Sequence, residues 1–493
     1  MFKPELWQSH NEYRTFLQSF SADTGSSLFH PYEKEYYKLL NLNLDPVRDF
    51  LSDFFSPQGR PAKNQAQILR SLILFVLLFN KTPAKTSLTS WVRDVLPASH
   101  LLTALIGCAS CGTLPPLGSY YDFMNRLWRA DRDQYSNSFL LPVSKNGKKP
   151  DKTIGDDGKL VEPDQSSYNT ADIVKNMMSD IPVTDDSQAA LQQLFFTLAV
   201  LPSVRLGLID PSHLTVSGDG TAVVSHSSPY GKTVPSVDPS LRHYSDPDAS
   251  WGWDSSKKQW YFGHTLYLLA STNNKLHTDL PLLMNFTSAA RHDSINFLYA
   301  FDSFSRNTSD LVPENICLDS AHDNIPTYRL LDHRNIHALI DINGRTQTSD
   351  SAPHDISFNK LGHPLCRAGH EMVSWGNDPV KDAHKYRCSL KCGRIDSCPY
   401  EAECSPSNYG RTVYIKNHGD LRFHPQIPRD SEEYKKIYSE RTACERLNNR
   451  FLNDYCLQFL KIRGKDHFSF WTMLAGICIH LDARCKVSSP YSA

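Results

Sequence analysis

The decapeptide Leu214-Thr-Val-Ser-Gly-Asp-Gly-Thr-Ala-Val223 constrains the fold more than any other stretch. Its β-branched residues favour an extended strand, and that strand carries a carboxylate, Asp219, between two glycines. With no Cβ at 218 or 220, other groups can approach the backbone closely beside the acid. Two downstream segments echo it. Ile316-Cys-Leu-Asp319-Ser-Ala-His-Asp323 again ends an apolar strand in acid, so both aspartates are expected at strand tips. Tyr438-Ser-Glu-Arg441-Thr-Ala-Cys-Glu445-Arg-Leu-Asn-Asn-Arg450 puts a third carboxylate inside a basic segment with helical spacing.

Around these segments the pattern alternates between α and β. Residues 260–270 and 280–286 read as strands, 294–304 as a helix and 315–318 as the strand before Asp319. A short helix at 328–333 and a strand at 337–342 follow. The expectation is an α/β fold, a mixed sheet covered by helices. Upstream, helical spacing runs from Gly59-Arg-Pro-Ala-Lys through Phe79, then over 86–96, 120–127 and 191–204. Residues 143–186 are polar and rich in breakers, which suggests a linker or surface insertion. The expected divisions are a helical segment at 1–142, that linker at 143–186, and a sheet-bearing segment at 187–345. A cysteine-rich insertion at 346–430 and a helical segment at 431–493 complete the chain.

At 493 residues there is room for two to four domains. The longest strongly apolar run, 72–79, falls far short of the roughly 20 residues that cross a bilayer. The first residues show no basic-then-apolar signal pattern, so a cytoplasmic protein without a membrane partner is expected. A net charge of −1 gives no global sign of a polyanionic partner, so any such partner must be met by local charge. From Gly59 to Arg93 there are six Lys or Arg and no acid. From Lys381 to Lys465 there are seventeen basic residues against eleven acidic ones. The early helices suit either a helix-turn-helix, with Arg60, Lys63, Arg70, Lys81 and Lys85 on DNA, or a plain helical scaffold.

Three carboxylates, two on strands and one on a helix, are what a pair of Mg²⁺ ions needs for phosphodiester chemistry. A plainer reading has Asp219 capping a turn, Asp319 capping the next helix, and Glu445 pairing with Arg441 four residues earlier. Asp323 and Asp341 compete as acids; the first lies four residues past the strand tip and the second inside the next strand.

Ser-Gly-Asp219-Gly-Thr, Leu-Asp319-Ser-Ala-His-Asp, Ile-Asp-Ile-Asn343, Ser-Pro-Ser-Asn-Tyr-Gly-Arg411 and Arg441-Thr-Ala-Cys-Glu445-Arg-Leu-Asn together resemble the DDE transposases of bacterial insertion sequences. The likeness runs from about residue 58 to His480-Leu-Asp-Ala483. It implies a ribonuclease H-like core and two Mg²⁺ ions, with Mn²⁺ able to substitute, held by Asp219, Asp319 and Glu445. It also implies cleavage and strand transfer on double-stranded DNA, at transposon ends and target, by at least a dimer in the synaptic complex. Such an enzyme would be nucleoid-associated. Tyr438, Arg441 and Glu445 keep the family's Tyr-x₂-Arg-x₃-Glu spacing; Arg446 and Arg450 join Tyr438 and Arg441 as candidate phosphate contacts. The family's lysine, expected seven residues after the glutamate, is Leu452 here, which leaves Arg450 or Lys461 for that contact. Two other functions remain: a metal-dependent nuclease of the same fold, or a decayed copy that only binds DNA.

Twelve cysteines in a cytoplasmic chain argue against a disulfide framework. Cys366, Cys388, Cys392, Cys398 and Cys404 cluster, and four thiolates would suit a closed structural Zn²⁺ site. The expected ligands are Cys366, Cys388, Cys398 and Cys404, with Cys392 as the alternate. Reduced thiols packed in a small insertion are the other reading. Cys108 and Cys111 form a lone CxxC.

Overall fold

A computed structural model of the chain describes all residues except 25–28, 80–86, 128–139, 143–152, 155–159, 162–169, 184–187, 234–240, 256, 309, 344–352, 417–420 and 489–493. Its helices, in chain order, begin with α1 (His10–Thr24), α2 (Glu33–Leu40), α3 (Gln65–Phe79), α4 (Leu117–Leu127), α5 (Thr170–Met178) and α6 (Ala189–Phe195). After the first strands come α7 (Asp293–Asn307), α8 (Ile325–His333), α9 (Glu432–Tyr438), α10 (Thr442–Asn449) and α11 (Lys465–Ser488).

Six strands make the central mixed sheet: β1 (Thr215–Val224), β2 (Ser250–Asp254), β3 (Gln259–Asn273), β4 (Thr278–Ser288), β5 (Asn315–Leu318) and β6 (His337–Ile340). Their order is β6-β5-β1-β3, with β2 and β4 sharing the outer edge of the long β3. β6, β5 and β1 run parallel; β3 is antiparallel to β1, β2 and β4. From Tyr261 to Ser271 every residue of β3 is buried, and so is all of β5. Continuous burial follows from helices covering both faces of the sheet. This is the ribonuclease H-like α/β arrangement that the sequence leads one to expect.

One face is closed by α10 and α11. The latter is apolar nearly all round, from Phe468 to Leu481, because it lies between β4 and α3 and has little surface left for water. Gly476 sits where a Cβ would come within 2.8 Å of Phe195 and 2.9 Å of Met284, so only glycine lets this helix seat so closely. Trp471 packs edge-on against Phe75 and Phe79 of α3. Trp7, Leu72 and Phe123 thus belong to the same hydrophobic core as Val216, Leu268 and Ile316. The boundary expected at 142 separates stretches of sequence but not cores.

The stretch expected as a linker differs from that reading in part. Most of it lies outside the described residues, but α5 is a packed helix that buries Ile173, Val174 and Met177. Arg334 donates to the Met177 carbonyl at 2.9 Å and to Asp180 at 2.8 Å, tying α5 to the end of α8.

The insertion after β6 forms a second, smaller sheet of β7 (Val373–Asp378), β8 (Ala383–Arg387) and β9 (Thr412–Lys416), all antiparallel. It has its own core of Ile342, Ile356, Phe358, Met372, Tyr386, Val413, Ile415 and Phe423.

Candidate active site

Parallel pairing of β1 with β5 sets Thr215 beside Asn315, Val216 beside Ile316 and Ser217 beside Cys317. Two residues further on, Asp219 and Asp319 reach the same level on neighbouring strands, which lie about 4.8 Å apart in any sheet. Only Asp319 is at a strand tip. β1 continues past Asp219 to Val224, paired with β3 throughout, so the expectation of two strand ends is corrected for the first acid. The alternation along β1 puts Asp219 on the face that Ser217 shows to α10, where Ser217 Oγ lies 3.2 Å from Cys444 Sγ. Asn448, one turn beyond Glu445 on the same helix face, donates its Nδ2 to Asp219 Oδ2 at 3.1 Å. Glu445 itself is about half exposed and accepts from Arg441 Nη2 at 2.8 Å.

The flanking glycines make room on the opposite face. A Cβ at 218 would lie 2.8 Å from both Leu318 and the Tyr267 hydroxyl. At 220 it would run into a carboxylate oxygen of Asp293. Asp293, the first residue of α7, is therefore a fourth acid of this region, one that sequence reasoning missed. Its only sequence signal is Arg-His-Asp at the start of a helix, which looks like ordinary capping.

Asp319 is held from below. It accepts from the Ala321 N–H at 3.0 Å and stands 2.7 Å from Nδ1 of His322, which is 1 % exposed. A carboxylate only accepts, so Nδ1 carries the proton, and Nε2 accepts from the Tyr267 hydroxyl 2.8 Å away. Burial pushes the Tyr267 phenol well up, so it stays a donor. Burial also pushes Asp319 up, but the hydrogen bonds from His322 and the Ala321 N–H, with the nearby charge of Arg441, outweigh it and hold this carboxyl below its usual range. Asp219 goes the other way. Burial, then the charges of Asp293 and Asp319, raise it to about 7. One carboxyl is thus kept ionised while its neighbour is crowded by negative charge.

The remaining expected residues fall into several settings. Tyr438 donates to the Leu318 carbonyl at 3.2 Å, which anchors α9 to β5. Arg446 grips Asp279 through Nε at 2.6 Å and Nη2 at 2.7 Å, and Arg450 pairs with Asp482 at 2.8 Å. Glu445, Arg446, Arg450 and Lys486 line a cleft of about 580 Å³ beside Asp279. Leu452 falls in the π turn after α10, and Lys461 is exposed. Asp323 is spent on structure: Arg422 clasps it at 2.7 and 2.6 Å, and the Asn343 N–H adds 2.6 Å. Asp341 follows the last residue of β6 and so lies just past that strand, not within it.

Arg60 and Lys63 are exposed. Arg70 is not: at 0 % exposure it stacks 3.8 Å over Tyr13 and donates to Gln8 at 2.5 Å, so it is withdrawn as a DNA contact. Its position in the apolar run of α3 is the reason. Lys81 and Lys85 lie outside the described residues.

Eleven of the twelve cysteines, including all five of the insertion, are free thiols. Cys366, Cys388, Cys398 and Cys404 all line one cavity of about 20 Å³; Cys392 does not. That volume holds about one water-sized particle or ion. Glycines at positive φ turn the chain around it, Gly369 at 76° and Gly393 at 66°. Among the described residues, no three His, Cys, Asp or Glu side chains are already drawn to metal-holding distance. The donor types still suit two different ions. Hard carboxylates crowd Asp219, and soft sulfurs surround the small cavity.

No helix among the described residues is long and apolar enough to cross a membrane. A search of curated proteins finds no match to the chain. The transposase DDE domain family matches residues 205–481, from the end of the helix before β1 into α11. That is more than half the chain and includes the whole central sheet, Asp219, Asp319 and Glu445, so the protein belongs to the DDE transposase family.

Proposed function

We propose that this chain is the transposase of a bacterial insertion sequence: it binds the element's terminal inverted repeats, cleaves a phosphodiester there, and joins the freed 3′-hydroxyl to target DNA. The observation that carries the reading is the shared register of Asp219 and Asp319 with α10 laid over them on the Asp219 side. Asp219, Asp319 and Glu445 would hold the divalent ions, Mg²⁺ or Mn²⁺. A crowded carboxyl without an arginine of its own, beside an ionised one, fits a cation. When bound, such ions activate the attacking oxygen and neutralise charge on the leaving one.

The chain's own residues supply the rest. His322 and Tyr267 fix the orientation of Asp319 from beneath the sheet. Asn448 fixes Asp219. Arg441 stands where a phosphate can exchange for Glu445 as its partner, freeing that carboxylate. Arg446 and Arg450 border the cleft as further phosphate contacts, while Tyr438 contributes by holding α9 against the strand. Arg60 and Lys63, with Lys81 and Lys85, are proposed to hold the transposon end. In the insertion, Cys366, Cys388, Cys398 and Cys404 are proposed to hold a structural Zn²⁺, which needs four soft donors and has no open position for chemistry. Two copies acting together would pair the two ends, in the bacterial cytoplasm at the nucleoid.

The test is incubation with DNA carrying the element's ends and Mg²⁺, scoring cleaved and joined products separately. Joined products support transposition. Cleavage without joining supports the nuclease, and end binding without either product supports a DNA-binding remnant.

A further inference from the structure

The outer face of the β7-β8-β9 sheet is not used by anything above. The register sets its composition: Arg387 opposes Val373 and Thr412, Lys385 opposes Tyr414, and Ala383 opposes Lys416 on one side and the single carboxylate Asp378 on the other. The alternate residues Tyr386, Val413 and Ile415 point inward to the small core. Trp375 and Tyr409 stand over the outer face 48 % and 40 % exposed. Between them lies the Arg387 guanidinium, 3.3 Å from the Tyr409 ring centroid and 4.1 Å from that of Trp375. Lys381 lies 3.6 Å over the Tyr414 ring, and Lys385 donates to the Tyr409 hydroxyl at 3.2 Å.

Three features separate this face from an ordinary solvated one. Lys381, Lys385 and Arg387 form no ion pair with any carboxylate among the described residues. Arg387 is only 7 % exposed, yet its buried Nε has no hydrogen-bond partner. Two large rings also remain half in water on an antiparallel sheet. Unneutralised cations interleaved with exposed rings match a strand of unpaired bases, whose phosphates need the charge and whose faces need the rings. A duplex hides those faces in its own stack and could use only the charges.

We propose that the outer face of the β7-β8-β9 sheet binds single-stranded DNA, with bases stacking on Trp375 and Tyr409 and phosphates meeting Lys381, Lys385 and Arg387. Nothing on the face offers a pattern of base-edge donors, so binding tolerates sequence. The choice of DNA rests on the transposase reading, while the face itself lies in the insertion and needs none of the carboxylates.

The experiment uses the full chain carrying Asp219→Asn, so that binding is read without cleavage, and fluorescence anisotropy with labelled oligo(dT) and with a duplex of equal length. Oligo(dT) should bind more tightly than the duplex. Trp375→Ala should weaken it by about tenfold or more, and Trp375→Phe should restore most of the affinity, because a smaller ring still stacks. Lys381→Gln with Lys385→Gln should lower the salt slope by about 0.7 for each phosphate that is no longer neutralised. Unchanged affinity in Trp375→Ala, or an equal drop for oligo(dT) and duplex, overturns the inference. A Phe variant as weak as the Ala variant does so too, since stacking would not be the cause. Wild-type cleavage of end DNA is followed in parallel. If cleavage persists without oligo(dT) binding, this inference alone fails; if oligo(dT) binds without cleavage of ends, the proposed function alone fails.

Discussion

The central sheet and the sheet of the insertion keep their shapes by different means. β1, β3 and β5 lie inside a continuous core that reaches from Trp7 to Ala483, so packing alone fixes the positions of Asp219 and Asp319 to one register. The insertion has eight buried apolar side chains and four cysteines around one small cavity. A cluster that small supplies little net stability, and small folds of this kind depend on a staple. The difference teaches where chemistry and where reach reside. The candidate acids sit on the well-packed sheet, and the exposed rings and cations lie on the smaller sheet with its own core.

Removing the staple should have the largest effect. If four thiolates hold zinc, its loss takes away on the order of 10 kcal/mol from the insertion, while the central core stays folded. Metal analysis should find one zinc per chain, and alkylation of native protein should reach Cys392 well before the other four. No zinc together with fast alkylation of all five would erase the contrast between the two sheets. Asp219→Asn comes next: cleavage should fall by roughly a thousandfold or more, since one ion ligand supports several kcal/mol of charge stabilisation. End binding should persist, and loss of both would mean misfolding.

A third effect sharpens the claim that packing governs the sheet. His480 of α11 is fully buried, with Nδ1 2.8 Å from Ser203 Oγ and Nε2 2.8 Å from the Pro281 carbonyl of β4. Burial lowers its pKa to about 3, against 6.5 when exposed. The unfolded chain therefore takes up a proton that the folded chain refuses. The stabilisation is fully present above pH 6.5 and drains away as pH falls toward 3, by about 3 kcal/mol at pH 4. Urea melts at several pH values should show this slope, and His480→Gln should flatten it even though the variant is less stable at neutral pH.

Smaller again is His322→Ala, which should cost about 10- to 100-fold in cleavage by releasing Asp319. The Mg²⁺ concentration for half-maximal rate should rise, a change that a merely structural role would not produce. The smallest effect belongs to Arg60→Gln with Lys63→Gln. End binding should weaken several-fold and its salt slope should drop by about 0.9 for each phosphate that is no longer neutralised. Untouched affinity and slope would make the early helices a scaffold.

Much of the central sheet is legible in the sequence because its periodicities are strong. The strand at 315–318 matches β5 residue for residue, and 294–304 falls inside α7. Three features were harder to see. Asp293 meets Gly220 across 73 residues of chain, and nothing local distinguishes a helix-starting acid that reaches another strand from one that does not. Arg70 reads as a surface cation until tertiary packing provides Tyr13 and Gln8 as its buried partners. In α5, Ile173, Val174 and Met177 are too few to outweigh a polar neighbourhood, and they pack only because α7 and α8 are there to receive them. Glu445 shows a different limit. Its pairing with Arg441 was the plainer reading and is what the structure contains, and the same contact serves the chemical reading as a latch.

The order of elements along the chain has a consequence during synthesis. β1 and β5 emerge from the ribosome long before α10 and α11, which close the face that Asp219 shares. Until residues 442–488 are made, that face stays open, and the third carboxylate does not yet exist. A nascent chain can therefore collapse around its early helices and strands without assembling the three acids. On the proposed function, such a chain would stay unable to cleave DNA for most of its own translation and would become competent only when its late helices dock.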